Sequence, residues 1–336
     1  MSRSRAVGLL LGFAADRLLG DPRRGHPVAA FGRVARGLEH RLHGDSRLRG
    51  TVHTAVLVGG CAGIGVAVEH ATGGRPLLHA AATAAATWTV LGGRTLEREA
   101  LAVHDLLAAD DLPAARQRLT HLVGRDPTGL PADEVARAVV ESVAENTSDA
   151  VTVPLVWGAV GGVPGLLAHR AANTLDAMVG HRTARYERFG WASARLDDVL
   201  GLPGSRYAAL CVLAAAPSRA GEAWRAWRRD AAAHPSPNAG VVEASFAGSL
   251  GVTLGGTNRY GDRVEHRPVL GSGRPVRPGD VPRATALARR VDRLAAVVAA
   301  GAVGAAGAVV CLRTRRGASW GTRPLPGRRL RERAPG

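Results

Sequence analysis

The sequence predicts a mainly α-helical, multi-pass integral membrane protein with a loop-rich polar segment. Four uncharged apolar runs are each 18 or 19 residues long, close to the roughly 20 residues that cross a bilayer as a helix. Arginine is concentrated in the stretches between and after these runs. Aromatic residues make up only 4% of the chain, which leaves little material for a large soluble core. The runs are residues 50–68, 76–93, 150–168 and 294–312.

The last run is the strongest span candidate, because three glycines spaced three residues apart offer the small-residue packing positions of membrane helices. A fifth, weaker candidate, residues 199–216, is interrupted by Pro203 and Arg206. We therefore expect four to five spans rather than buried helices of a soluble protein. Residues 6–15 imitate a secretory signal, but Asp16 follows at once, which favours a retained apolar helix.

The domain organisation follows from the spacing of these runs. Residues 94–149 mix Asp, Glu and Arg with Leu and Ala, which predicts a helical, water-exposed segment. Within the second polar segment, residues 217–290, the stretch 231–280 is rich in Gly, Pro and Asn, which predicts loops. We expect one helical membrane domain over residues 1–312. The tail 313–336 consists largely of Arg, Pro and Gly and is predicted to be disordered.

The net charge of +16 comes entirely from arginine, since the chain contains no lysine. Such a charge first suggests nucleic acid or an anionic surface. No nucleic-acid-binding module surrounds it, however, and much of it lies in the tail directly after an apolar run, as in a positive-inside anchor. We predict membrane lipid as a partner and no nucleic acid. The three cysteines are far apart and form no CxxC, which argues against a zinc site or a disulfide framework.

The first polar cluster follows the N-terminal apolar stretch. Asp21-Pro22 and His26-Pro27 are turn-forming pairs, so the side chains of Asp21 and His26 lie on a fixed loop. The alternative is a helix exit with capping polar groups.

The second cluster is acidic. Glu141, Glu145 and Asp149 are four residues apart, which places three carboxylates along one helical face. No Lys or Arg stands among them, so they repel one another unless a cation or a donor is present. They lead directly into an apolar run, where acidic residues are costly and usually functional. Because Mg²⁺ prefers such oxygen ligands, we predict a magnesium site here, with a solvated acidic face as the alternative.

The third cluster places Asn173 and Asp176 on one helix face, and Asp197-Asp198 follow Arg195. These groups either pair structurally or bind phosphate and metal, and the spacing leaves both readings open.

The fourth cluster, which contains Ser236 and Asn238, is rich in Pro and Gly. Rigid turns of this kind expose backbone N–H groups that hold anions. Neither a Walker A pattern nor GxGxxG occurs.

Taken together, the four clusters resemble the CobD/CbiB family, the adenosylcobinamide-phosphate synthases of cobalamin biosynthesis. His169 and His181 stand where aromatic residues are expected, and the Arg-rich tail is lineage-specific. The matching stretches, within residues 15–256, are ADRLLGDPRRGHPVAAFGR, VESVAENTSDAVTVPLVW, HRAANTLDAMVGHRTARYERFGWASARLDDVLGLPGSR and HPSPNAGVVEASFAGSLGVTLGG.

The resemblance implies a cell-membrane enzyme that joins the free propionate of (adenosyl)cobyric acid to (R)-1-amino-2-propanol or its O-phosphate. The product is cobinamide or its phosphate. ATP and Mg²⁺ are the implied cofactors, and other late membrane enzymes of the corrinoid pathway are candidate partners. The competing reading is a non-catalytic corrinoid transporter or membrane scaffold, in which the polar groups form a transport path.

Under this resemblance we expect the carboxylate to be activated as an acyl phosphate and then attacked by the amine. We expect Glu141, Glu145, Asp197 and Asp198 to be catalytic, with Asp197 or Asp198 taking the proton of the amine, and Glu141, Glu145 and Asp149 to hold the metal. Arg185 or Arg195 is expected to clamp a phosphate. The residues expected to bind substrate or phosphate are Asp21, His26, Asn146, Asn173, Asp176, Arg185, Arg195, Ser236 and Asn238.

Overall fold

The computed structural model describes residues 2–22, 25–124, 126–181, 183–260 and 263–318, without the side chains of residues 257–266 and 309–318. Within these ranges the chain is mainly α-helical, as predicted. The helices are α1 (Ser2–Leu19), α2 (Pro27–Leu42), α3 (Arg47–Thr72), α4 (Pro76–Val90), α5 (Gly93–Ala108), α6 (Leu112–Leu119), α7 (Ala132–Thr147), α8 (Val153–Val179), α9 (Trp191–Ala215), α10 (Ala220–Asp230), α11 (Ala239–Leu250) and α12 (Asp280–Ala318), and the strands are β1 (Val252–Tyr260), β2 (Arg263–Leu270) and β3 (Arg274–Pro275).

Three stretches of the described chain are long and apolar enough to cross a membrane. They are Arg47–Thr72, Ala132–Val179 and Asp280–Ala308, and a fourth candidate is the pair Trp191–Ala215 and Pro217–Ala233, bent by 105°. The predicted runs 50–68 and 294–312 thus lie in α3 and α12. The number of candidate spans is three or four, where the sequence predicted four to five.

The apolar run 76–93 forms a shorter helix than predicted. Helix α4 ends at Val90 because Leu91 adopts an extended backbone, and its 15 residues extend over only about 22 Å. It packs along α1, where a Cβ on Gly8 or Gly12 would clash with threonines of α4. The apolar N-terminal stretch therefore forms a helix that belongs to the bundle, with small residues at the contact.

The run 150–168 is not one straight crossing, because the chain reverses direction inside α8. Gly162 has φ 62° and ψ −146°, a conformation that is essentially restricted to glycine. A Cβ on Gly158 would lie 2.9 Å from Leu166 Cδ2, and one on Gly165 would clash with the carbonyl oxygen of Trp157. Such neighbours are impossible in a continuous helix, so the segments before and after Gly162 form an antiparallel hairpin.

Charged side chains from two other helices hold the tip of this hairpin. Glu69 Oε1 accepts a hydrogen bond from the Val163 N–H at 3.1 Å. Arg5 pairs with Glu69 at 3.3 Å and donates to the carbonyl oxygen of Ala159 at 3.4 Å. Because the turn exposes backbone groups that an apolar environment cannot satisfy, this ion pair gives the tip its polar partners.

Helices α7 and α11 of the polar segments pack against each other beyond the end of the hairpin opposite its tip, and we call them the polar layer. Helix α7 is largely buried against α5, α11 and α12, so the expectation of a water-exposed segment over residues 94–149 is wrong for α7. Its apolar positions need a partner surface, and α11, which is buried along its entire length, provides part of it.

The prediction of loops over residues 231–280 is wrong, because this stretch contains the buried helix α11 and a small sheet with the order β2-β1-β3. Strand β1 is antiparallel to β2 and parallel to β3, and a bulge at Gly255 interrupts the β1–β2 register. Helix α12 continues through Ala318, so the prediction of disorder is wrong for residues 313–318. Residues 319–336 of the predicted tail lie outside the described residues.

Replacing Gly162 with Ala tests the hairpin. The new Cβ would overlap Glu69 Oε1, and the backbone conformation alone costs a side chain about 1–3 kcal/mol. We expect Gly162→Ala to lower the unfolding midpoint in detergent, measured by tryptophan fluorescence. Gly161→Ala is the matched control, because a Cβ at Gly161 meets no atom within 4 Å. Equal midpoints for the two variants would contradict the reversal.

Candidate active site

Carboxylates from three helical segments converge where the hairpin arms return to the polar layer. Asp149 interacts electrostatically with Glu145, Asp176 and Asp197, and Asp176 interacts with Asp198. Asp149 precedes and Asp176 follows the Gly162 turn by nearly equal lengths of chain, so the antiparallel arms bring them to the same level. We call these five residues the acidic cluster.

A π-helical turn, Ser148–Thr152, separates α7 from α8. The π-turn has more residues per turn than an α-helix, so the side chain of Asp149 does not point in the same direction as those of Glu141 and Glu145 on α7. Thr152 Oγ1 donates to the carbonyl oxygens of Ser148 at 3.3 Å and Gly204 at 3.1 Å, which attaches this turn to α9. π-Turns of this kind often lie at functional sites.

Glu141 differs from the other two residues of the predicted magnesium set, because it forms part of a buried ion pair. Arg137, one turn earlier on α7, donates to Glu141 Oε1 at 3.0 Å, and the Gly255 N–H donates to the same oxygen at 2.9 Å. Arg137 also bonds the Gly255 carbonyl oxygen and Glu134. The expectation that no arginine compensates this acidic face is therefore wrong at Glu141. The pair attaches the β1 bulge to α7.

Glu141 and Glu145 both line a cleft of about 300 Å³ between α7 and α11, together with His181, Glu243 and Arg267. Glu145 is exposed and also belongs to the acidic cluster, so it connects the cluster with the cleft. Asn146, the next residue, donates to the Ser142 carbonyl oxygen at 3.0 Å, so part of its hydrogen bonding is to its own helix.

The loop after α1 brings Asp21 and His26 to the same region. Their side chains lie 3.9 Å apart, and His26 Nδ1 accepts from the Val28 N–H at 3.1 Å, which caps α2. One carboxylate oxygen of Asp21 is buried without a hydrogen-bond partner among the described residues. Both readings from the sequence thus apply, since His26 is a capping group and Asp21 faces the site.

Asn173 and Arg195 contact the two aspartates of α9. Asn173 lies close to the carboxylate of Asp197, and Arg195 lies 3.9 Å from Asp198 with 65% of its side chain exposed. The sequence left open whether Arg195 pairs structurally or binds a ligand. Its exposed position favours a weak surface pair.

The predicted substrate-binding residues Arg185, Ser236 and Asn238 make contacts that hold the fold together. Arg185 donates to Glu39 at 3.1 Å. Burial acts to raise the pKa of Glu39, but hydrogen bonds from Tyr186 and Arg185 hold it below its ordinary value. Arg185 therefore forms an ion pair between the loop before α9 and helix α2.

Ser236 and Asn238 attach the start of α11 to α9. Asn238 Nδ2 donates to the Asp198 carbonyl oxygen at 2.8 Å, and Asn238 Oδ1 accepts from Ser205 Oγ at 3.0 Å. Ser236 Oγ accepts from the Ala239 N–H at 3.1 Å, which caps α11. Asn238 thus contacts the backbone of Asp198, whereas the bonds of Ser236 stay within the turn that precedes α11.

The donor set of the acidic cluster suits a hard cation, although no complete cage is present. Among the described residues, no group of three His, Cys, Asp or Glu side chains forms a ready metal site. Mg²⁺ is commonly held by one or two carboxylates together with substrate phosphates and water. One oxygen of Asp197 is buried without a hydrogen-bond partner in the described structure, which suits this partial ligation.

The structure adds one residue to the site that the sequence pattern did not single out, Arg170 on the returning arm of α8. The charges of Asp21, Asp149 and Asp197 act on its guanidinium. A charged residue inside a long apolar segment is itself a sequence signal of function, so the signal was present.

Comparisons with known proteins place these features in a family. The model for the CobD/Cbib protein family matches residues 9–288. "Cobalamin biosynthesis protein CobD" of Mycobacterium tuberculosis H37Rv is 52% identical over 301 residues, which cover 88% of this chain and 95% of that protein. The protein of the same name from Geobacter metallireducens is 44% identical, over 83% of this chain and 90% of that protein. The one from Rhodobacter capsulatus is 42% identical, over 85% of this chain and 93% of that protein. No solved structure matches the chain.

Glu141→Gln separates a structural from a catalytic role. Removing one partner of a buried ion pair costs about 3–5 kcal/mol, so we expect a lower free energy of unfolding in detergent. Because Arg137→Met/Glu141→Gln removes both charges, the double variant should regain part of that loss. Wild-type stability of Glu141→Gln combined with a large loss of turnover would instead make Glu141 catalytic.

Proposed function

The chain belongs to the CobD/CbiB family of cobalamin biosynthesis proteins, and we propose that it is an ATP-dependent amide-forming ligase of the cell membrane. Its substrates are the free propionate of (adenosyl)cobyric acid and (R)-1-amino-2-propanol or its O-phosphate. The product is cobinamide or cobinamide phosphate. The observation that supports this best is the convergence of Glu145, Asp149, Asp176, Asp197 and Asp198 at one end of a membrane helix hairpin.

The chemistry requires both a phosphate site and a proton acceptor. A propionate oxygen attacks the γ-phosphorus of ATP, and ADP leaves, which gives an acyl phosphate. The free amine then attacks the carbonyl carbon, phosphate leaves, and the nitrogen loses a proton. Asp197 or Asp198 is the proton acceptor in this proposal. The acidic cluster also attracts the ammonium form of the amine before reaction, because carboxylates stabilise a nearby cation.

We assign Mg²⁺ to the acidic cluster, where one or two of the carboxylates of Glu145, Asp149 and Asp197 would hold it. Glu141 is replaced in this set by Asp197, because Arg137 and the Gly255 N–H already hold its carboxylate. When bound, the ion neutralises charge on the phosphoryl oxygens. The remaining ligands are then phosphate oxygens and water, as is usual for magnesium.

Product identification tests the reaction. Protein purified in detergent from carbonate-washed membranes is incubated with cobyric acid, ATP, Mg²⁺ and each amine in turn. We expect mass spectrometry to detect cobinamide or its phosphate, with one ADP formed for each amide. Release of the protein by carbonate alone would contradict a multi-pass enzyme, and absence of product with both amines would contradict the ligase.

Feeding a deletion strain separates the ligase from a transporter. A cell without the ligase should fail to make cobalamin from cobyric acid at any concentration and should recover with cobinamide, because the block lies between these compounds. Recovery with abundant cobyric acid would make transport the better assignment.

The acidic cluster is tested by Glu145→Gln and Asp149→Asn, which keep side-chain size and remove charge. Loss of one preorganised electrostatic group typically costs about 100-fold or more in turnover, and the Mg²⁺ concentration needed for half-maximal rate should rise. Asp133→Asn, an exposed position of the same helix α7, is the control and should retain turnover. Normal turnover in both cluster variants would remove the cluster from the mechanism.

A further inference from the structure

Arg170 lies at the boundary between the acidic cluster and an apolar groove. It is on the returning arm of α8, one turn before Asn173. Its Nε is buried without a hydrogen-bond partner, and within the described part of the chain no carboxylate lies at ion-pair distance from its guanidinium. The side chain as a whole is partly buried, and an arginine held there without such a partner is energetically unfavourable unless it serves a ligand.

The surroundings of Arg170 differ on its two sides. Asp21, Asp149 and Asp197 interact with it electrostatically from the polar side. On the other side it lines a groove of about 530 Å³ between α2, α3, α4 and α8, and the other lining residues are almost all apolar, such as Phe31 and Leu167. Low-polarity walls strengthen the interaction of the guanidinium with any anion placed beside it.

The acid substrate of the proposed ligase presents an electrostatic problem that Arg170 solves. The acidic cluster attracts the metal and the ammonium group, but it repels a carboxylate. The acid must nevertheless lie beside the phosphate that the metal holds, so it needs a cation next to the cluster. Arg185 pairs with Glu39, and Arg195 is mostly exposed, whereas Arg170 has the required position.

We propose that Arg170 binds the carboxylate of the acid substrate at the edge of the acidic cluster and positions it for phosphorylation. This inference rests on the proposed function. A guanidinium presents paired N–H donors that match the two oxygens of a carboxylate, which an ammonium group cannot reproduce. Arg170→Lys therefore removes the paired geometry and keeps the charge.

The test compares Arg170→Lys and Arg170→Gln with wild type in the amide-forming assay. Loss of a charge-assisted contact to a ligand corresponds to about 10- to 100-fold in affinity, so we expect the KM for cobyric acid to rise by that factor. The KM values for ATP and the amine should change little. Arg36→Lys, at an exposed arginine of α2, is the matched control and should leave all three KM values unchanged.

A binding measurement on the wild-type protein keeps the inference testable if the Arg170 variants do not fold. Cobyric acid should raise the unfolding midpoint of the wild-type protein, whereas an analogue in which the free carboxylate is converted to a methylamide should raise it far less. Equal stabilisation by the acid and the methylamide would overturn the role of Arg170.

The outcomes separate this inference from the proposed function. Absence of any amide product from the wild-type protein counts against the ligase itself. Product formation by wild type, together with an unchanged KM for cobyric acid in Arg170→Lys, overturns the inference and leaves the ligase intact. A rise confined to the KM for ATP would also overturn it, because the guanidinium would then bind a phosphate.

Discussion

The reversal of the chain at Gly162 is the constraint on which the acidic cluster depends. A straight helix through residues 150–179 would place Asp149 and Asp176 about 40 Å apart, at 1.5 Å per residue. With the reversal, they interact electrostatically beside the start of α9. The reversal in turn needs a residue without Cβ at the tip and the hydrogen bond from the Val163 N–H to Glu69. A turn far from the cluster therefore determines which carboxylates meet.

Buried charge within the bundle is divided between structural pairs and the site. Arg5 with Glu69 holds the hairpin tip, and Arg137 with Glu141 attaches the β1 bulge. Arg17 bridges Glu97 and Asp292, which joins α1, α5 and α12. Such pairs are retained because removal of either member leaves an uncompensated charge in a poorly polar interior.

The acidic cluster and Arg170 form a different arrangement, in which like charges lie close together and the guanidinium lies near carboxylates without direct pairing. Like charges held together disfavour one another's ionised forms unless a cation is bound. This arrangement fits the proposed reaction, in which a phosphate, an ammonium group and a carboxylate meet at one site. The apolar groove beside Arg170 extends from the same site between α2, α3, α4 and α8.

The fold class, the family and all five residues of the acidic cluster could be predicted from the sequence alone. Apolar runs of nearly bilayer length predicted α3 and the apolar part of α12, because hydrophobicity over 18–19 residues is a local property. The motifs around Glu145, Asp149, Asn173, Asp176 and Asp197 could be selected because polar residues beside apolar runs require an explanation.

Spacing could not assign the role of Glu141, since its partner at Gly255 is distant in sequence. The sequence also could not show that the run 150–168 folds back, because a straight apolar helix and an apolar hairpin have the same hydropathy profile. The change of helical phase at the π-turn likewise leaves no mark in the composition. Only the folded structure reveals the role of Glu141, the reversal of the run 150–168 and the position of Arg170. Each depends on contacts between residues that are distant in sequence, such as the hydrogen bond at the hairpin tip and the packing between helices, and a local sequence pattern does not report such contacts.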